Sequence, residues 1–206
     1  MLLQTEELWD EVRERFVREH GGRYDAAAQR AMMGMSSLEW SPFMQEELGV
    51  AEPAEAISEE IARLLEERYR ERLPLIPGAV DAVRRLAARW PLGLASSSNR
   101  SLIDAALDLS GLAELFRVTV SSEEVARGKP SPDVYLEASR RLRVTPGRCA
   151  AVEDSHNGIR SAKAAGLRVI AIPNPSYPPD EEALTGADVV LGSLAELTPA
   201  VLDTSA

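Results

Sequence analysis

The chain has 206 residues, 45% of them hydrophobic, and a formal net charge of −10. That composition suits a folded domain with a sizeable core, and its acidity argues against nucleic acid or an anionic membrane surface as partner, since both demand a basic footprint. No apolar run approaches the roughly 18 residues of a membrane span, and no basic stretch followed by an apolar one opens the chain, so the cytoplasm is the expected compartment.

Residues 5 to 72 read as helices joined by short breaks. Leu8, Val12 and Phe16 mark one face of a first helix that stops at His20-Gly21-Gly22. Asp25 to Met33 forms a second, closed by Gly34. Ser36 with Glu39 makes a capping-box pattern that opens a third. Pro53 to Arg72 carries Ile57, Ile61, Leu64, Leu65 and Tyr69 at helical spacing. After Pro77-Gly78 the grammar changes. A helix over 79–89 precedes a strand over 92–95, and a helix over 102–109 precedes a strand over 117–120. A helix over 133–142 then leads to a strand over 149–152, a helix over 159–165 to a strand over 169–172, and a last short strand covers 188–191. Strands alternating with helices predict a parallel sheet covered on both faces, with ligands at the carboxyl ends of its strands. The lone Cys149 permits no intrachain disulfide and reads as the buried start of a strand.

Three segments fall at or just after those strand ends: Ser96-Ser97-Ser98-Asn99, Gly128-Lys129-Pro130, and Glu153-Asp154 followed by Ser155-His156-Asn157-Gly158. Hydroxyls and backbone amides suit phosphate oxygens, a Lys supplies a point charge, and carboxylate oxygens suit Mg²⁺. Each segment has a plainer reading. Asp154 is also a good helix N-cap, Lys129 an ordinary loop residue before proline, and the serines an ordinary turn. Their joint placement after successive strands favours a phosphoryl-transfer site. His156 is read as a first-turn helix residue rather than a catalyst, and Met32, Met33 and Met35 as helix packing. No Gly-x-Gly-x-x-Gly follows a predicted strand, which leaves no signal for a dinucleotide site.

In these segments the chain resembles the haloacid dehalogenase superfamily, in its phosphatase and β-phosphoglucomutase-like branch. The resemblance implies an α/β fold: a parallel Rossmann-like core sheet with helices on both faces, formed by residues 1–4 and 76–206, and an inserted α-helical cap over residues 5–75. It implies that Ser96 and Lys129 are catalytic, and that Ser97, Asn99 and Asn157 join them in binding the phosphate and substrate. Asp154 and Glu153 would hold Mg²⁺. The implied activity is hydrolysis of a small phosphorylated metabolite through an aspartyl-phosphate, with a phosphosugar mutase or a noncatalytic binding protein as alternatives. The family's nucleophile lies in an Asp-x-Asp-Gly motif closing the first, central strand, and this sequence contains no Asp-x-Asp. Met1 to Glu6 resembles the segment that follows the motif. The expectation is therefore an N-terminally truncated reading, inactive as written, with the central strand missing from the sheet.

Overall fold

The computed structural model of the chain describes residues 2–203. Four helices come first: α1 (Glu6–Glu19), α2 (Ala26–Met32), α3 (Ser37–Glu46) and α4 (Ala54–Glu71). They enclose one apolar core of Trp9, Val12, Phe16, Val17, Met32, Trp40, Met44, Ile57, Ile61, Leu65 and Tyr69. The helical spacing seen in the sequence is the spacing of this buried face. The α3 start is fixed as its sequence predicts, with the Ser36 amide donating to Glu39 Oε2 at 2.8 Å. One charge is sealed among the aromatics: the Arg13 guanidinium carbon lies 4.5 Å from the Trp9 ring centroid and 4.9 Å from that of Trp40.

Two strips of backbone join the helices to the rest of the molecule, and they run side by side. Leu3 bridges Leu75 in antiparallel fashion. The Gln4 amide donates to the Pro74 carbonyl at 2.8 Å and the Ile76 amide to the Leu2 carbonyl at 2.9 Å. Met1 lies outside the described residues.

Beyond Gly78, whose φ of +79° suits the residue before a helix, the expected alternation appears. It runs α5 (Ala79–Ala87), β1 (Leu92–Ser96), α6 (Arg100–Ser110), β2 (Phe116–Ser121), α7 (Asp133–Leu142) and β3 (Ala150–Glu153). It continues with α8 (His156–Ala164), β4 (Arg168–Ala171), α9 (Glu181–Thr185), β5 (Val189–Val190) and α10 (Pro199–Leu202). Every strand pair is parallel. Element order was legible, whereas ends moved. β3 runs on through Glu153, because Ile172 N–H donates to the Glu153 carbonyl and continues the ladder. The helix after it starts at His156 rather than Ile159, capped by Ser155 Oγ accepting from the Gly158 amide at 3.2 Å. Cys149 is half-buried just ahead of β3 rather than buried within it.

The strands form two sheets, one ordered β1-β2 and the other β3-β4-β5. Among the described residues no backbone bond joins β1 to β3. Helices hold the two sheets in place instead. On one face α7 packs Val134, Tyr135 and Ala138 against Val120 of the first sheet and Ala151 of the second. On the other face α5 packs Ala79, Ala82 and Leu86 against residues of both sheets, Leu92 and Val152 among them.

Candidate active site

The carboxyl ends of β1 and β3 converge on one side chain. Lys129 is almost fully buried, at 8% exposure. Its Nζ donates to the Ala95 carbonyl near the end of β1 at 3.3 Å and to Glu153 Oε1 at the end of β3 at 2.5 Å. The Tyr135 hydroxyl, from α7, also donates to Glu153 Oε1. Lys129 thus spans the two sheets, with its ammonium 5.0 Å from the Tyr135 ring centroid.

Burial pushes the Glu153 carboxyl up, but the Lys129 ammonium and the bonds from Lys129 and Tyr135 outweigh it and hold the group below its ordinary value. Burial, and then the neighbouring Glu153 charge, drives the Tyr135 phenol well above its ordinary value. Tyr135 is therefore a fixed donor at neutral pH. Glu6, at the start of α1, faces the same cavity. Crowding by protein, then the charge of Asp154, raises its carboxyl.

The residues singled out in the sequence fall into two groups. Ser96, Ser97, Lys129, Asp154 and Asn157 all line one cavity with Glu6. Ser96 Oγ accepts from the Ser98 amide at 3.1 Å, which shapes the turn leaving β1. The α8 N-terminus opens on the same space, and helix N-termini favour anions. Asn157 meets the first segment of the chain: a Cβ on Gly34 would come within 2.8 Å of Asn157 Nδ2, so the loop after α2 rests directly on it.

Glu153 lines the cavity as well, and Asn99 alone lies outside that lining. Asn99 is buried, and its amide donates to Ser58 Oγ of α4 and to Glu123 Oε1, both at 2.9 Å. It ties the helical segment to the sheet segment. The cause is Glu123, which caps α6 through the Arg100 amide at 2.8 Å and accepts from Ser37 Oγ at 2.6 Å. Glu123 was missed in the sequence because its partners are 23, 24 and 86 residues away. The Glu153 carboxylate, read in the sequence as a metal ligand, accepts from Lys129 and Tyr135 in the space left by the missing side chain of Gly158. Tyr135 itself lacked any local signal, since it sits in the first turn of α7 like a packing residue.

Among the described residues no group of three or more His, Cys, Asp and Glu converges as a metal site. Mg²⁺ commonly uses one or two carboxylates with a substrate phosphate and water, and the carboxylates lining this cavity are Glu6, Glu153 and Asp154. No helix among the described residues is long and apolar enough to cross a membrane.

A parallel α/β core thus presents serine, lysine and carboxylate side chains around one cavity at its strand ends. A haloacid dehalogenase-like hydrolase profile matches residues 2–166, and the chain belongs to that family. It is 31% identical over 198 residues to the bifunctional riboflavin kinase/FMN phosphatase of Arabidopsis thaliana, covering 95% of this chain and 52% of the relative. It is 38% identical over 145 residues to hexitol phosphatase B of Escherichia coli K12, covering 70% of this chain and 64% of the relative. The chain thus spans between about half and two thirds of the length of these curated relatives. The crystal structure of CbbY from Rhodobacter sphaeroides in complex with phosphate superposes with a TM-score of 0.87 at 31% identity, over 98% of this chain and 95% of that one.

Proposed function

We propose that this protein is a Mg²⁺-dependent phosphatase of small phosphorylated metabolites, working through an aspartyl-phosphate. The observation that carries the reading is the meeting of Ser96, Lys129 and Asp154 around one cavity at the ends of β1 and β3. In this reading Ser96 Oγ, the Ser97 amide and the α8 N-terminus bind the oxygens of the transferring phosphoryl group. Lys129 keeps a positive charge between phosphate and carboxylate, and Glu153 with Tyr135 holds it there. Mg²⁺, held by Asp154, supplies charge neutralisation when bound. Residues 5–75 act as a cap over the mouth, where Gly34 and Met33 face the substrate and Asn157 receives the cap loop. The attacking carboxylate is not part of an Asp-x-Asp in this sequence, and the reading places it on a strand lying between β1 and β3.

The names of relatives suggest the substrates to try first: flavin mononucleotide, hexitol phosphates and, from the CbbY complex with xylulose-(1,5)bisphosphate, a ketose bisphosphate. The test adds a strand ending in Asp-x-Asp-Gly ahead of Leu2 and measures phosphate release with and without Mg²⁺. Turnover that needs Mg²⁺ and disappears in Asp154→Ala supports the reading. A folded, strand-completed protein that releases no phosphate from any of these esters counts against it.

A further inference from the structure

Arg30 lies in the last turn of α2 and lines the cavity beside Met33 and Gly34. We propose that its guanidinium receives a second anionic group of the substrate, so that the preferred esters are small phosphates whose leaving group carries a carboxylate or another phosphate. This inference rests on the phosphatase reading and names the substrate class for the same cavity.

Position is the first support. A Cβ on Gly34 would come within 2.8 Å of Asn157 Nδ2, so the end of α2 sits over the start of α8. Arg30 is one helical turn earlier, about 5 Å along the axis. It therefore stands on the cap wall of the cavity, and the leaving group of an ester held at Ser96 and Lys129 points toward that wall.

Charge is the second. Among the other lysines and arginines that line the cavity, Lys129 is paired with Glu153 at 2.5 Å. Arg148 lies just ahead of β3, at the amino end of that strand. Arg15, Arg18, Arg63, Arg68 and Arg70 of the cap helices each pair with a carboxylate. Among the described residues Arg30 has no such partner. Asp25 feels its charge, but Asp25 Oδ1 accepts from the Ala27 and Ala28 amides at 2.8 and 2.9 Å as the α2 N-cap.

The surrounding field makes this cation decisive. The chain carries a net charge of −10, and Glu6, Glu153 and Asp154 line the cavity, so an anionic leaving group is disfavoured there unless a cation answers it. The planar fork of a guanidinium matches the oxygens of a carboxylate or a phosphate in pairs, which an ammonium does not. A basic residue in a last turn also offsets the helix dipole. Lysine serves that purpose equally, and it has no bearing on which ligand is preferred.

The test is calorimetric binding to the whole chain with Mg²⁺ present, using two matched pairs. 3-Phosphoglycerate against glycerol 3-phosphate adds a carboxylate, and fructose 1,6-bisphosphate against fructose 6-phosphate adds a phosphate. The charged member of at least one pair should bind about tenfold tighter, and the pair that shows it identifies the anion. Arg30→Gln should bring that ratio to about one, and Arg30→Lys should keep part of it. Because Arg30 is exposed, its replacement leaves the core intact, and salt at about 0.5 M should shrink the ratio in the parent. Ratios near one in both pairs of the parent, or a ratio that survives Arg30→Gln, overturn the proposal. Inorganic phosphate separates the two possible failures. If it and all four esters fail to bind, the phosphate site is absent and both readings fall, whereas esters that bind alike within each pair remove the role of Arg30 alone.

Discussion

The carboxylate of Glu153 occupies the volume that a side chain on Gly158 would need. With no Cβ on Gly158, Glu153 at the end of β3 can turn beneath the first turn of α8 and reach Lys129. Gly158→Ala is expected to displace the carboxylate and destabilise the chain by about 1 to 3 kcal/mol, the usual cost of overpacking a close contact. Chemical denaturation of the two proteins measures it, and an unchanged midpoint would show that the carboxylate moves freely.

Lys129 and Glu153 form a buried pair, at 8% and 4% exposure. Removing one partner strands the other charge, so Lys129→Met should cost about 3 to 5 kcal/mol. Lys129→Met combined with Glu153→Leu should recover most of that loss, because no unpaired charge remains. A double-mutant cycle by denaturant melts reads the coupling, and simple additivity of the two single losses would contradict it.

The same pair gives a pH dependence. The Glu153 carboxyl is held below its ordinary value of 4.5, so the unfolded chain takes up this proton before the folded one does. Its contribution is full above about pH 4.5 and is lost as pH falls through the lower folded value. Glu153→Gln should therefore flatten the acid limb of the stability curve relative to the parent. Parallel acid limbs in the two proteins would be the contrary result.

Glu6 predicts the opposite sign. Its carboxyl is raised by crowding and by the Asp154 charge, so the folded state holds this proton more tightly than the unfolded state. Stability from this group is present at low pH and is lost as pH rises from 4.5 through the raised value. Glu6→Gln should melt higher than the parent at pH 8 and alike at pH 3. Mg²⁺ should narrow the pH 8 difference by offsetting the Asp154 charge, a change that thermal melts with and without the ion can follow.

Glu123 joins three elements through Ser37, Asn99 and the Arg100 amide. Glu123→Ala should cost about 1 to 3 kcal/mol, since it leaves buried donors unmatched. It should also speed hydrogen exchange at the start of α6 and loosen the seat of α3. Ser37→Ala removes one bond alone and should cost about 1 kcal/mol. Equal losses in the two variants would mean that Glu123 does not act as the junction.

What could be read from the sequence was what repeats locally. Ile57, Ile61, Leu65 and Tyr69 announce a buried helix face at their own spacing, and the alternation after Gly78 announces a parallel sheet. Ser96, Lys129 and Asp154 were legible because each closes or follows a predicted strand, and a parallel sheet gathers such ends on one edge. Roles that depend on orientation were not. Glu153 and Asp154 are neighbours, yet a strand sends successive side chains to opposite sides, so both need not face one ion. Asn99 was read with the serines before it as a phosphate-binding residue. The partners of its side-chain amide, Ser58 and Glu123, lie on other elements, and nothing in its own segment points to them.

The division into a sheet of two strands and a sheet of three gives the molecule a mechanical crease. Among the described residues, the turn that carries Ser96 and the turn that carries Asp154 ride on separate panels, without a shared ladder of backbone bonds. Their spacing is set instead by α7 and α5 bracing the panels from either face, and by the Lys129 ammonium drawn between them.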